Sequence, residues 1–210
     1  MTNSPFRPRD WKSQPRSIDP NYISTTYRAP KKPLIPLKQT LTELTGPVYG
    51  HDNLAENDGD LTLNARKGGE PIGERIIVTG KVQDENGRPV ANTLIEIWQA
   101  NASGRYIHVN DQHNAPVDPN FFGTGRVATD GEVRYKFYSI KPGAYEFVVN
   151  NNAWRPPHIH LSLFGPTIAT RLVTQIFFPG DPLLKQDPIF MGVPEHARYR
   201  LVSTFDIDET

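Results

Sequence analysis

Short hydrophobic runs with a two-residue period dominate the chain from about residue 74 onward. Arg75-Ile76-Ile77-Val78-Thr79-Gly80-Lys81-Val82 and Thr93-Leu94-Ile95-Glu96-Ile97-Trp98 are rich in β-branched side chains, which suit a pleated, half-buried surface better than a helix. Asp84-Glu85-Asn86-Gly87-Arg88-Pro89 is a turn-forming stretch between them, so the two runs read as adjacent strands. The pattern recurs at 133–140, 145–149, 158–164, 171–178 and 199–205, with Gly, Pro and Asn as punctuation. Seven or so short strands with scarcely a helix predict an all-β fold, an antiparallel β-sandwich core with few short helices.

Upstream the two-residue period is lost. Residues 1 to about 36 are rich in Pro, Arg, Lys and Ser, with Trp11, Tyr22 and Tyr27 interspersed, which is poor material for a core of its own. The aromatics fit a long, mostly irregular N-terminal arm laid over its own domain or a neighbouring subunit. Leu37, Leu41 and Leu44 fall at helical spacing ahead of Gly46-Pro47, so a short helix near 37–44 is expected, followed by a polar loop over 51–60. The chain therefore divides into an arm over 1–50 and a β-sandwich domain over 51–210.

Composition narrows the chemistry. A β-rich chain of 210 residues can bury one sizeable core. Lys plus Arg and Asp plus Glu both total 23, so there is no electrostatic footprint for nucleic acid or an acidic membrane surface. The absence of Cys removes disulfides, thiolate metal sites and cysteine nucleophiles, and leaves any metal to N and O ligands. No apolar run approaches a bilayer span and Met1 to Arg7 lack an apolar signal core, so a cytoplasmic protein is expected.

Within Trp154-Arg155-Pro156-Pro157-His158-Ile159-His160 the two histidines leave the same face of an extended strand while Ile159 points into the opposite layer. That geometry suits a shared metal, although His-x-His is also common on the polar face of a strand. Tyr106 lies in a loop after Trp98 that Gly104 allows to turn tightly, and Tyr145 follows the turn Lys141-Pro142-Gly143-Ala144. Both occupy loop–strand junctions, where functional side chains concentrate on a sandwich. Taken singly, each is as well explained as a half-buried aromatic. Taken together, two phenolates and two imidazoles form a hard, partly anionic set that favours a trivalent cation, Fe(III), over Zn or Cu.

Several stretches carry a resemblance. Pro71-Ile72-Gly73-Glu74-Arg75, Trp98-Gln99-Ala100-Asn101-Ala102 with Gly104-Arg105-Tyr106, Asp118-Pro119-Asn120-Phe121, Ile140-Lys141-Pro142-Gly143, Trp154-Arg155-Pro156 and His158-Ile159-His160 resemble the intradiol ring-cleavage dioxygenases, most nearly beta subunits acting on protocatechuate. The resemblance runs from about Tyr22 to Ile189. It implies one non-haem Fe(III) per beta-type chain, held by Tyr106, Tyr145, His158 and His160, with no organic cofactor. It also implies cleavage of a 1,2-dihydroxybenzene between its hydroxyls by O2. Tyr145 would then act as ligand and base, Arg155 as the cation facing developing negative charge, and Gln175 and Trp98 as residues supporting the ligand set.

For the substrate, Tyr22 and Arg28 match residues at the family's pocket opening, Ile189 resembles a pocket wall, and Phe147 is a further substrate-binding candidate. Phe147 stands where the protocatechuate enzymes carry Trp, and Ala144-Tyr145-Glu146 replaces Pro-Tyr-Pro. These departures leave two anionic para substituents open, a carboxylate as in protocatechuate or a sulfonate as in 4-sulfocatechol. The product implied is a substituted cis,cis-muconate. The implied partner is a related alpha subunit in a heteromer, assembled into a larger oligomer. A non-catalytic β-sandwich carrier is the reading from a different class, and it gives no reason for the four donors to coincide.

Overall fold

A computed structural model of the chain describes residues 10–33, 35, 53–147, 153–165 and 171–207. The strands are β1 (Arg75–Lys81), β2 (Leu94–Gln99), β3 (Thr124–Ala128), β4 (Arg134–Ile140), β5 (Tyr145–Phe147), β6 (Ala153–Arg155), β7 (His158–Phe164) and β8 (Arg171–Phe177). The α-helices are single turns: α1 (Ser24–Arg28), α2 (Pro188–Gly192) and α3 (Glu195–Arg198). Strand pairing is antiparallel throughout, in a four-stranded sheet of order β3-β2-β7-β8, a β1-β4 ribbon and a β5-β6 ribbon.

The β1-β4 ribbon packs on one face of the four-stranded sheet. Ile95 and Ile97 of β2, Ile159 and Leu161 of β7, and Phe137 and Ile140 of β4 close the core with Leu61 and Phe121, and Ile76 and Val78 of β1 pack against it. Each fully buried Ile, Leu or Phe here contributes about 1.5–3 kcal/mol through loss of apolar surface to water. Because side chains alternate, putting Ile159 and Leu161 inward sends His158, His160 and Ser162 to the outer face of the same sheet. Cross-strand register then sets Trp98 and Gln175 on either side of His160. One row of that outer face thus carries three of the predicted site residues.

Two strand assignments need correction. The runs at 75–82 and 93–98 are not neighbours, because β1 pairs with β4 whereas β2 pairs with β3 and β7. The turn between them does close, through Gln83 against Pro89 and the Val90 amide on the Val82 carbonyl. Asn92, at φ 51°, then redirects the chain into the second sheet. The stretch 199–205 is not a strand. Pro194 opens α3, a 3-10 turn over Tyr199–Leu201 continues it, and only Val202 bridges to Phe177. Conversely β3 escaped the pattern, because Thr124-Gly125-Arg126-Val127-Ala128 is half polar and needs Gly125 where the Leu61 side chain would meet a Cβ at 2.5 Å. The expected helix at 37–44 and residues 148 and 149 of the expected strand 145–149 lie outside the described residues.

The described stretch 10–33 packs on residues of the chain's later part. Tyr22 packs on Phe147 with ring centroids 5.8 Å apart, Ser13 Oγ lies 3.5 Å from His196 Nε2, and a Cβ on Gly192 would sit 3.0 Å from an Asp19 carboxylate oxygen. Local hydrogen bonds shape this stretch. Asp19 Oδ1 accepts from the Asn21 amide, and the buried Thr25 hydroxyl accepts from the Asp19 amide while donating to the Tyr22 carbonyl. These bonds set Tyr22, just ahead of α1, against Phe147 of β5.

Candidate active site

His158 and His160 project from β7 with ring centroids 4.8 Å apart. His158 Nδ1 donates to the Pro156 carbonyl at 2.7 Å, which leaves Nε2 as an acceptor facing Arg155 Nη1 at 3.1 Å and Tyr145 Oη at 3.3 Å. Burial first, then the Arg155 charge and His160, hold the His158 pKa well below the usual value, against the opposing pull of the Pro156 hydrogen bond. His160 is pushed down to about 3 by burial and by Arg155. Its ring lies flat on Trp98, 4.8 Å between centroids and 7° from parallel, as their opposed positions on β7 and β2 require. The site therefore presents two neutral imidazoles in fixed orientations.

The two tyrosines arrive on loops that are locked together. Asn101 Oδ1 accepts from the amides of Ser103 and Arg105, and its backbone carbonyl accepts from the amides of Gly104 and Gly143. Gly104 has φ +82°, and a Cβ there would lie 2.1 Å from the Ala144 carbonyl oxygen, so only glycine lets the loops approach this closely. Tyr106 and Tyr145 consequently meet edge to face, 5.4 Å between centroids at 86°. Tyr106 also lies 6.4 Å from the His160 ring. Its hydroxyl is buried without a hydrogen-bond partner, and burial, then the nearby Tyr145, raise its pKa well above the usual phenol value. A phenol oxygen in this state is poor at holding a negative charge alone and well suited to a cation.

Arg155, at the end of β6 and opposite Tyr145 in the β5-β6 ladder, is almost fully buried. Its Nη1 reaches Tyr145 Oη at 3.4 Å and His158 Nε2 at 3.1 Å. Its other edge is held by Asp187, with Nη2 to Oδ2 at 2.9 Å and Nε to Oδ1 at 3.3 Å, and by Gln175 Oε1, 2.7 Å from Nη2. Burial works against the guanidinium charge, but Asp187 and Tyr145 more than offset it and the pKa rises above the usual value. Asp187 was not anticipated. In the structure Asp187 caps α2, and nothing local in the sequence shows that the same carboxylate meets Arg155, 32 residues away.

Tyr22, Arg28 and Phe147 form a cluster of their own, with Tyr22 packed between the other two. Arg28 Nη2 donates to Tyr22 Oη at 2.6 Å and its guanidinium lies 5.0 Å from the Tyr22 ring centroid. Ile189 is half-buried on α2, where its amide donates to Asp187 Oδ1 at 3.0 Å. Tyr106, Tyr145, His158, His160, Arg155 and Gln175 are thus brought together, Tyr22 joins them through Phe147, and Ile189 connects through Asp187.

Comparison with known proteins agrees with this arrangement. Residues 44–210 match the dioxygenase family, and residues 7–40 match the N-terminal family of the protocatechuate 3,4-dioxygenase beta subunit. The chain belongs to the intradiol dioxygenases. This dioxygenase is 60% identical to the protocatechuate 3,4-dioxygenase beta chain of Burkholderia cepacia over 203 residues, covering 97% of the chain and 86% of that relative. It is 35% identical to the protocatechuate 3,4-dioxygenase alpha chain of Pseudomonas putida, over 71% of this chain and 74% of that one. Among solved structures, the 3-chlorocatechol 1,2-dioxygenase of Rhodococcus opacus 1CP superposes with a TM-score of 0.51 at 26% identity, over 64% of this chain and 53% of that one. The antiparallel sandwich predicted from the hydrophobic pattern is the fold of this intradiol enzyme. Among the described residues, no helix is long and apolar enough to cross a membrane.

Proposed function

We propose that the chain is a beta-type catalytic subunit that holds Fe(III) through Tyr106, Tyr145, His158 and His160. Its reaction cleaves protocatechuate, or a similar para-anionic catechol, between the two hydroxyls with O2 to give a substituted cis,cis-muconate. The observation that carries the reading is the buried, unpartnered Tyr106 hydroxyl beside a second phenol and two neutral imidazoles. A buried polar atom without a partner costs about 1–3 kcal/mol, and a cation among these donors removes that cost. When bound, Fe(III) supplies a Lewis acid that ionises phenolic oxygens and draws electron density from a catecholate, opening the ring to O2. Both oxygen atoms of O2 enter the product, so no reductant is consumed.

The chain's own residues divide the remaining work. Tyr145 Oη lies 3.4 Å from Arg155 Nη1 and 3.3 Å from His158 Nε2, and as a phenolate it would accept a hydroxyl proton from the substrate. Arg155 keeps its charge in a water-poor site, where it stabilises negative charge developing on the ring oxygens. Gln175 holds one edge of that guanidinium, and Trp98 keeps the His160 ring from rotating. Tyr22 and Phe147 present an aromatic edge to the substrate ring, with Arg28 beside them for its anionic end. 4-Sulfocatechol is the alternative preferred substrate, favoured by the smaller Phe147 wall, which leaves room for the bulkier sulfonate.

The partner in this reading is a related alpha chain in a heteromer that assembles further. Its support is that named beta and alpha chains both align with most of this sequence. The test is co-expression with the alpha chain, iron analysis, visible spectroscopy and O2 uptake with protocatechuate beside 4-sulfocatechol. A red-brown holoenzyme, coloured by phenolate-to-iron charge transfer and consuming one O2 per para-anionic catechol, is expected. A colourless protein at full iron occupancy would refute the ligand set, and a preference for unsubstituted catechol would refute the substrate class.

A further inference from the structure

The Arg155 guanidinium has five N–H groups, and the structure gives every one of them a direction. Nε points to Asp187 Oδ1, and Nη2 divides between Asp187 Oδ2 and Gln175 Oε1. Nη1 alone faces forward, toward Tyr145 Oη and His158 Nε2. The Asp187 end of the pair is fully buried and the Arg155 end nearly so, at 0% and 3% side-chain exposure. A planar fork gripped along one edge by a carboxylate has a single orientation, whereas one held only by a neutral amide does not. The carboxylate does a second task at its other end. Oδ1 also accepts from the Ile189 amide and starts α2, and the Asp187 carbonyl accepts from the Met191 amide within the same turn.

We propose that Asp187 is a positioning residue for ring cleavage: it aims the forward nitrogen of Arg155 and, through the same carboxylate, ties that aim to the α2 wall carrying Ile189. This rests on the reading of Arg155 as the cation that faces the reacting ring. Arg155 and Ile189 come from distant parts of the chain, yet one side chain spaces them.

Four variants of the iron-loaded heteromer test this. Asp187→Asn keeps an oxygen for the Ile189 amide and removes the charge that grips Arg155. Turnover is expected to fall on the order of 100-fold, as for a misaimed catalytic group, with KM changed less than about threefold and wild-type iron content. The resting visible band should be retained, since no iron ligand is altered. Asp187→Glu keeps the charge but displaces the fork by one methylene, and about a tenfold loss is expected even if Asp187→Asn fails to fold. In an Arg155→Met background, adding Asp187→Asn should leave turnover unchanged and raise the melting temperature, because it removes a buried carboxylate that has lost its partner.

Wild-type turnover in Asp187→Asn or Asp187→Glu, beside a slow Arg155→Met, overturns the role of Asp187 alone. An equal loss from Asp187→Asn in both backgrounds does the same, since it shows action by another route. Wild-type turnover in Arg155→Met overturns the reading of Arg155 and this inference with it.

Discussion

Arg28 offers the sharpest test of substrate choice, because in the proposed reading its guanidinium, which donates to the Tyr22 hydroxyl at 2.6 Å, meets the anionic end of the substrate. Replacing it with Ala removes one charge-assisted hydrogen bond to the anionic end of the substrate, worth about 1.5–3 kcal/mol when dry. Arg28 is exposed, so water and salt screen the interaction and the lower end of that range applies. About 1.5 kcal/mol corresponds to roughly a tenfold drop in kcat/KM. The assay is steady-state O2 uptake by wild type and Arg28→Ala with protocatechuate, 4-sulfocatechol and unsubstituted catechol at low and high salt. Both anionic substrates should lose about tenfold, less at high salt, while catechol changes no more than about twofold. Tyr22→Phe should give a smaller loss of the same pattern, because Arg28 keeps its charge but loses its tether. An equal loss for charged and neutral catechols, or one insensitive to salt, would show that Arg28 supports the arm and does not read the substrate.

Tyr145→Phe should shift the visible band and slow product formation while iron remains bound, whereas His160→Ala should lose iron outright, as metal analysis after gel filtration would show; wild-type iron in the second variant would point to another nitrogen donor. Gly104→Ala forces a side chain into a left-handed conformation and against the Ala144 carbonyl, so a loss of more than about 2 kcal/mol in urea unfolding is expected, with a disturbed Tyr106–Tyr145 contact visible as a shifted band. Burial raises the pKa of Tyr135 above its value of 10.0, so the folded chain keeps a proton that the unfolded chain releases. Its contribution is complete below about pH 10 and is lost as pH rises from there through the raised folded value, and Tyr135→Phe should flatten the decline in urea midpoint above about pH 10.

The alternation of apolar and polar residues determined the antiparallel sandwich, because a strand with one buried face must place Ile159 and Leu161 inward and His158 and His160 outward whatever its neighbours are. Local chemistry was equally legible at the turns. Gly104 marked a tight loop, Tyr145 a strand start after Lys141-Pro142-Gly143-Ala144, and both proved to be as read. Which strands pair was not legible, since a turn such as 84–89 forms in the same way whether the chain returns to its own sheet or crosses to the other. The run at 199–205 misled for a related reason: an exposed Tyr199 and Phe205 give a strand-like pattern, and only the turn opened by Pro194 decides the backbone. The meeting of Tyr106, Tyr145, His158, His160 and Arg155 needed the tertiary structure for its geometry. Asp187 needed it for its very role, because a helix-capping aspartate and a buried counter-charge have the same local sequence. Their difference is the presence of a guanidinium that the fold carries in from 32 residues away.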